Sequence, residues 1–253
     1  MNIMVFDTET TGLKKPFCYN VGYVIAEMDE DGAHRTLVQR DFVVAEVWNN
    51  KMVMSGAYYA DKKEQYVSAM KGRTTIKKKW AEIVEIIAQD IAYWNIERAF
   101  AYNCGFDIGV FAHNSEWFGT YNPIENLLVA DIRAIAWNTI FEDRCYQQFC
   151  EENGLFTENG NYSTTAETAY KFMTDDTDFI EAHTALSDSN IELEILAYAV
   201  ERGEMLENSE LLTCPKALTR VVPKQLVVVD KDKVEHTFEY TKKITRGEKI
   251  FLK

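Results

Sequence analysis

Four consecutive apolar residues, Ile3, Met4, Val5 and Phe6, run straight into "DTETTG". A short unbroken apolar run closed by turn residues predicts a strand buried on both faces. The segments "NVGYVIAE" (20–27) and "TLVQRDFVV" (36–44) flank an Asp-Gly turn signal in "MDEDGAHR" and predict an antiparallel hairpin after it. Farther on, 62–71 predicts a short helix, and 76–94 carries apolar residues at 80, 83, 84, 87, 91 and 94, a helical period. "RAFAYN" predicts a fourth strand followed by a helix from 106 to about 117, and "NLLVADI" a fifth strand with a helix running on to about residue 150. Helices are expected over 166–173 and 185–203, the latter stopped by Gly203. A meander followed by alternating strands and helices predicts an α/β fold, a mixed five-stranded sheet flanked by helices.

Beyond Gly203 the texture changes to short alternating strand material punctuated by lysines. The chain therefore divides into a main unit, 1–205, and a small basic β-rich C-terminal appendage, 206–253, with Pro215 as the expected hinge. At 253 residues and 47% hydrophobic content, one main core is expected. No apolar run approaches the length of a membrane span and no charged-then-apolar leader opens the chain, so the expectation is a cytoplasmic protein with no membrane partner. The five cysteines are scattered without a C-x-x-C pair, which predicts reduced thiols and excludes a disulfide framework or a zinc ribbon.

A net charge of −13 argues against a polyanionic partner until its distribution is considered. Residues 215–253 hold ten basic and five acidic side chains, a local +5, which leaves −18 for the remainder. Lys71, Arg73, Lys77, Lys78 and Lys79 form a second basic cluster.

Asp7 and Glu9 are two residues apart on a strand, so they share one face, at the end where open α/β sheets bind ligands. Asp107 opens the helix after the fourth strand and shares its face with Val110 and Phe111. Asp188 likewise shares a face with Ile191, Ile195 and Ala199. An acid in a first helical turn gains from the helix dipole, but that does not explain why both take the core-facing side, where an unpaired carboxylate costs several kcal/mol. No Lys or Arg lies in any of the three motifs, and an all-oxygen carboxylate set suits Mg²⁺ or Mn²⁺. Two such ions activate water and stabilise the leaving oxygen of a phosphodiester. His183 stands five residues before Asp188, so it is expected in the loop ahead of the helix, near the same metals, as a general base. His34, His113 and His236 have no such company, and Glu192, one turn after Asp188, reads as a surface acid, with support of the site from behind its ligands as the alternative.

In order, "FDTETTG" (Asp7, Glu9), "AYNCGFD" (Asp107) and "HTALSD" (His183, Asp188) resemble the three motifs of the DnaQ-like, DEDDh-type 3′–5′ exonucleases of the ribonuclease H-like superfamily, over residues 1–203. The resemblance implies a five-stranded ribonuclease H-like sheet, two Mg²⁺ or Mn²⁺ ions and release of nucleoside monophosphates from 3′ ends. It further implies that Asp7 bridges both ions, Glu9 and Asp188 hold the ion on the nucleophile side, Asp107 holds the other, and His183 deprotonates the water. Thr8 and Thr10 would contact the terminal nucleotide, with Asn103 and Phe106 supporting the second motif and the bases. The expected partner is single-stranded DNA, met either by a free-standing enzyme or beside a DNA polymerase. Short RNA or tRNA 3′ ends use the same residues, and an idle nucleic-acid-binding module is the reading from outside enzymology.

Overall fold

The structure is a computed structural model that describes residues 1–57, 62–229 and 235–243, with 221–229 and 235–243 described as backbone. Strands β1 (Asn2–Thr10), β2 (Cys18–Met28) and β3 (His34–Val44) form an antiparallel meander. Strands β4 (Ile76–Lys78), β5 (Arg98–Ala101) and β6 (Leu128–Asp131) complete a six-stranded sheet in the order β4-β3-β2-β1-β5-β6. β5 pairs parallel with β1, β6 with β5, and β4 with β3. The central position of β1 explains its uninterrupted apolar run.

The pleat of β1 sorts the helices. Ile3 and Val5 join the core on one face, against α6 (Ile132–Ala136), α7 (Arg144–Asn153), α8 (Ala166–Thr174) and α9 (Ala185–Glu201). Met4 and Phe6 point the other way, against α1 (Ala45–Trp48), α2 (Lys51–Met54), α3 (Lys63–Gly72), α4 (Trp80–Trp94) and α5 (Gly105–Phe118). By the same alternation Asp7 and Glu9 fall on the α9 side and Thr8 on the α5 side.

The sheet has one strand more than expected. Residues 76–78, read above as the start of a helix, pair with β3 instead, because the helix is capped three residues later: the Glu82 carboxylate accepts the Lys79 amide at 3.0 Å and fixes Trp80 as the first helical residue. The helix expected to reach residue 150 is broken into α6, a π-type turn over Trp137–Phe141, and α7, whose Cys145 amide is capped by the Asp143 carboxylate. The short helices α1 and α2 were not foreseen. Their four-residue lengths carry too little periodicity to register.

Two glycines set where α9 lies. Gly22 pairs with Asp7 across the sheet, and a Cβ there would stand 2.0 Å from the Leu186 amide nitrogen, so the first turn of α9 rests on the β2 backbone. Gly32, at φ +83°, closes the β2–β3 turn against the carbonyl of Ala197 near the other end of α9.

After α9 the chain stays on the body: Leu206 and Leu218 are buried in the main core, Leu218 bridges to Tyr162, and Arg98 pairs with Glu210. Strands β7 (Val221–Val229) and β8 (Glu235–Lys243) then form a separate antiparallel pair. Lys231, Lys233, Arg246, Lys249 and Lys253 lie outside the described residues. All five cysteines are free, and no helix among the described residues is long and apolar enough to cross a membrane.

Replacing Gly22 by alanine should lower unfolding stability by about 3 kcal/mol or more, since the clash is with helix backbone rather than a movable side chain. Chemical denaturation checks this, and an unchanged midpoint contradicts the close approach of α9 to β2.

Candidate metal centre

Three elements bring the four acids to the site. β1 delivers Asp7 and Glu9 at its C-terminal end, α5 delivers Asp107 and α9 delivers Asp188, each helical acid in the first turn. One carboxylate oxygen from each of Asp7, Glu9 and Asp188 lies within 4.8 Å of the others. Asp107 stands beside this triplet and accepts a 2.5 Å hydrogen bond from the Thr8 hydroxyl, which the pleat turns toward α5. Glu9, Asp107 and Asp188 are 7%, 3% and 6% exposed, and Asp7 is half-buried.

Glu192 corrects the reading of it as a surface acid. It is 4% exposed, and its carboxylate accepts the Tyr102 amide at 3.2 Å where β5 ends. The signal was in the sequence: four residues after Asp188 is the same helical face. Glu181 is a second acid that the motifs did not reveal, close enough to raise both Glu9 and Asp188.

Crowding acids in a buried site raises their proton affinity. Burial is the largest cause at every one, followed at Asp7 by the charges of Asp107, Glu192, Glu9 and Asp188. Asp7 and Glu192 are held well above the carboxylate range. Glu9 is pushed up to about 9, Asp188 to about 8 and Asp107 to about 7, the last restrained by its bond from Thr8. Lys62 lowers Glu9 and Asp188 yet leaves both raised, so one ammonium does not balance the cluster.

The donor set fits a hard divalent cation. It is all oxygen, it is over-supplied with negative charge, and the Asp188 Oδ1 is buried with no hydrogen-bond partner, an orphaned acceptor costly to leave unmatched. Asp7, Glu9 and Asp188 could hold such an ion, with Asp107 beside them.

His183 lies in the loop before α9, as expected, with φ +51°. Its ring groups with Glu167 and Glu181, the Nδ1 3.6 Å from the Glu181 carboxylate. Burial, then the charge of Lys62, pushes its imidazole below the ordinary value. Thr10 donates its hydroxyl to the carbonyl of Gly12 at 2.8 Å. Asn103 is exposed at φ +58°, its amide donated to Asp131, and Phe106 packs half-buried against the α1–α5 core.

No protein-family model and no curated protein sequence matches the chain. Among solved structures the fold is similar to Escherichia coli exonuclease I in complex with a 5cy-dT13 oligonucleotide, with TM-score 0.50, 13% identity, and 80% of this chain covering 40% of that one. It is also similar to E. coli exonuclease I in complex with a dT13 oligonucleotide, at TM-score 0.50 and 13% identity over 82% and 43% of the two chains. The chain thus spans about two-fifths of the length of those proteins, and the likeness is one of fold: a mixed α/β, ribonuclease H-like sheet flanked by helices.

The raised values give a pH dependence of definite sign. Between about pH 4, where unfolded carboxylates titrate, and the folded values of about 7 to 9, the native state holds protons that the unfolded chain has lost. Metal-free stability should therefore fall as pH rises from 5 to 9, and saturating Mg²⁺ should remove that fall. At pH 8.5 Asp7→Asn should raise the metal-free stability, on the order of 1 kcal/mol, and abolish the gain from Mg²⁺. Thermal melts in chelator and in Mg²⁺ check this. A chelator profile that stays flat from pH 5 to 9 contradicts the cluster's electrostatics.

Proposed function

We propose that the chain is a divalent-metal-dependent 3′–5′ exonuclease that releases nucleoside monophosphates from single-stranded DNA. The observation that carries this reading is the grouping of Asp7, Glu9 and Asp188, with Asp107 close enough to raise Asp7 and Glu9, all four with raised proton affinities. Their order and spacing in the sequence resemble the DEDDh motifs, and the fold is similar to that of exonuclease I over part of its length.

In this reading Asp7, Glu9, Asp188 and Asp107 would hold the Mg²⁺ or Mn²⁺ ions. The ions, when bound, supply Lewis-acid stabilisation of the phosphodiester oxygens and a water of lowered pKa. The chain's own residues do the rest. His183, kept neutral by burial and Lys62, accepts the proton of the attacking water. Glu181 faces its Nδ1 and holds the ring's orientation. The bond from Thr8 keeps Asp107 ionised more readily than its neighbours. Glu192 ties α9 to the end of β5, holding Asp188 in register with β1.

Single-stranded DNA is favoured by the surface beside the catalytic strand. The loop from Thr11 to Phe17 carries exposed Lys14 and Lys15 and closes with the Thr11 amide on the Phe17 carbonyl. Asn114 fastens α5 to this loop through Pro16 and Cys18. That brings Trp117, 64% exposed, edge-on to Phe17 at 5.1 Å between ring centroids, with His113 alongside. A solvent-facing indole packed on a loop that carries two exposed lysines is a platform on which an unpaired base would stack whatever its sequence. The exonuclease I structures of similar fold carry dT13 oligonucleotides, which agrees with this choice.

Purified protein given 5′-labelled single-stranded DNA, duplex DNA or RNA should shorten the single-stranded DNA stepwise from its 3′ end in Mg²⁺ or Mn²⁺ and do nothing in chelator. Asp188→Asn should lower the rate at least about a hundredfold. In an Asp7→Ala background, which prevents cleavage, Trp117→Ala should weaken oligothymidylate binding about tenfold, the loss of one stacked base. Cleavage that survives chelation, or is unaltered in Asp188→Asn, refutes the metal mechanism; faster cleavage of RNA refutes the choice of DNA.

A further inference from the structure

The first turn of α9 carries Asp188, yet its local cap is missing. Thr184 occupies the N-cap position with no side-chain hydrogen bond to the helix amides. Such amides are left without intrahelical partners at every helix start, and a Ser, Thr, Asp or Asn at the N-cap ordinarily supplies one. Here the acceptor comes from β2, 165 residues earlier: the Asn20 Oδ1 accepts the Ala185 amide at 2.9 Å.

Asn20 is wholly buried and pairs with Glu9 across the β1–β2 ladder. Its carboxamide has two acceptor and two donor positions, and all four are filled. The oxygen accepts from Ala185 and from the Tyr66 hydroxyl, at 2.9 Å each. The nitrogen donates to the Asp41 carboxylate at 2.5 Å and to the Phe42 carbonyl at 3.0 Å. The Ala185 amide donates only and the Phe42 carbonyl accepts only, so the network admits one orientation of the group. Asp41 is held in turn by the Thr75 hydroxyl. Three residues beyond Ala185, on the same helical face, stands Asp188, and one turn beyond Ala185 the Ser189 hydroxyl donates back to the Ala185 carbonyl at 2.7 Å, with the Gly22 carbonyl at 3.2 Å.

We propose that Asn20 is the positioning residue of the metal centre: its side chain caps α9 from the sheet and thereby sets Asp188 against Asp7 and Glu9. The inference rests on the proposed reading of those acids as ion ligands. It gives Asn20, next to Glu9 in the sheet and touching no substrate, control over the geometry of a site it does not enter. Aspartate would not replace it, since a second carboxylate would face Asp41 and the Phe42 carbonyl.

The test is the Mg²⁺ concentration that gives half of the maximal rise in melting temperature, with the kcat and KM split as a second readout. Asn20→Ala should raise that concentration about tenfold and lower kcat at fixed Mg²⁺ with little change in KM. Phe141→Leu, a core substitution away from the site, serves as the stability control and should leave the Mg²⁺ requirement unshifted. Should Asn20→Ala fail to fold, Tyr66→Phe, which removes one of the two bonds to the Asn20 oxygen, should raise the requirement two- to threefold. A shift for the Asn20 or Tyr66 variant no larger than that of the core control overturns the inference. Wild-type protein that gains no stability from Mg²⁺ would overturn the metal reading itself, and this inference with it, so the two failures are told apart by the wild-type titration.

Discussion

Burying several carboxylates at one point is the constraint on which the rest of this structure turns. Each loses its hydration and meets the field of the others, so the site resists ionisation, as the raised values of Asp7, Glu9, Asp188 and Glu192 record. A protein assembled for stability alone would place these acids at the surface. Here the sheet, the glycine contact and the Asn20 network hold them together against repulsion, which is the arrangement a divalent cation would relieve.

The framework that bears this load is economical in elements. The pleat of β1 alone divides the work, presenting Asp7 and Glu9 to α9 and Thr8 to α5. Gly22 lets α9 descend onto the sheet directly opposite Asp7, and Glu192 fastens the same helix to the end of β5. α9 is therefore held on both sides of β1. A shift of this one helix would part Asp188 from the strand acids and open the core that Ile191, Ile195 and Leu196 fill, so the packing of α9 and the geometry of the site are set together.

Much of this was legible in the residues themselves. The apolar run of β1, the shared face of Asp7 and Glu9, and the inward sides of Asp107 and Asp188 all follow from periods of two and 3.6. Those periods are local, and so is what they reveal. Glu192, one turn after Asp188, lies on the face that the same argument marks as inward; of the two readings the sequence allows, support of the site and surface acid, its burial favours the first. Asn20 and Lys62 were not within reach, because their meaning lies in contacts across long stretches of chain. The strand Ile76–Lys78 was missed for a different reason: its pairing with β3 is a tertiary fact, and the helix that follows hid its start in a shared run of residues.

The claim that the acid cluster is a cation site is tested most directly by calorimetric titration of the chelator-treated protein with Mg²⁺ near neutral pH, repeated in two buffers of different ionisation enthalpy. Groups whose proton affinity is raised must give up protons when an ion takes their place, and the difference between buffers counts those protons. The account predicts saturable Mg²⁺ binding with net proton release that shrinks as the pH is raised toward 9. Absence of binding, or binding without proton exchange, would contradict it.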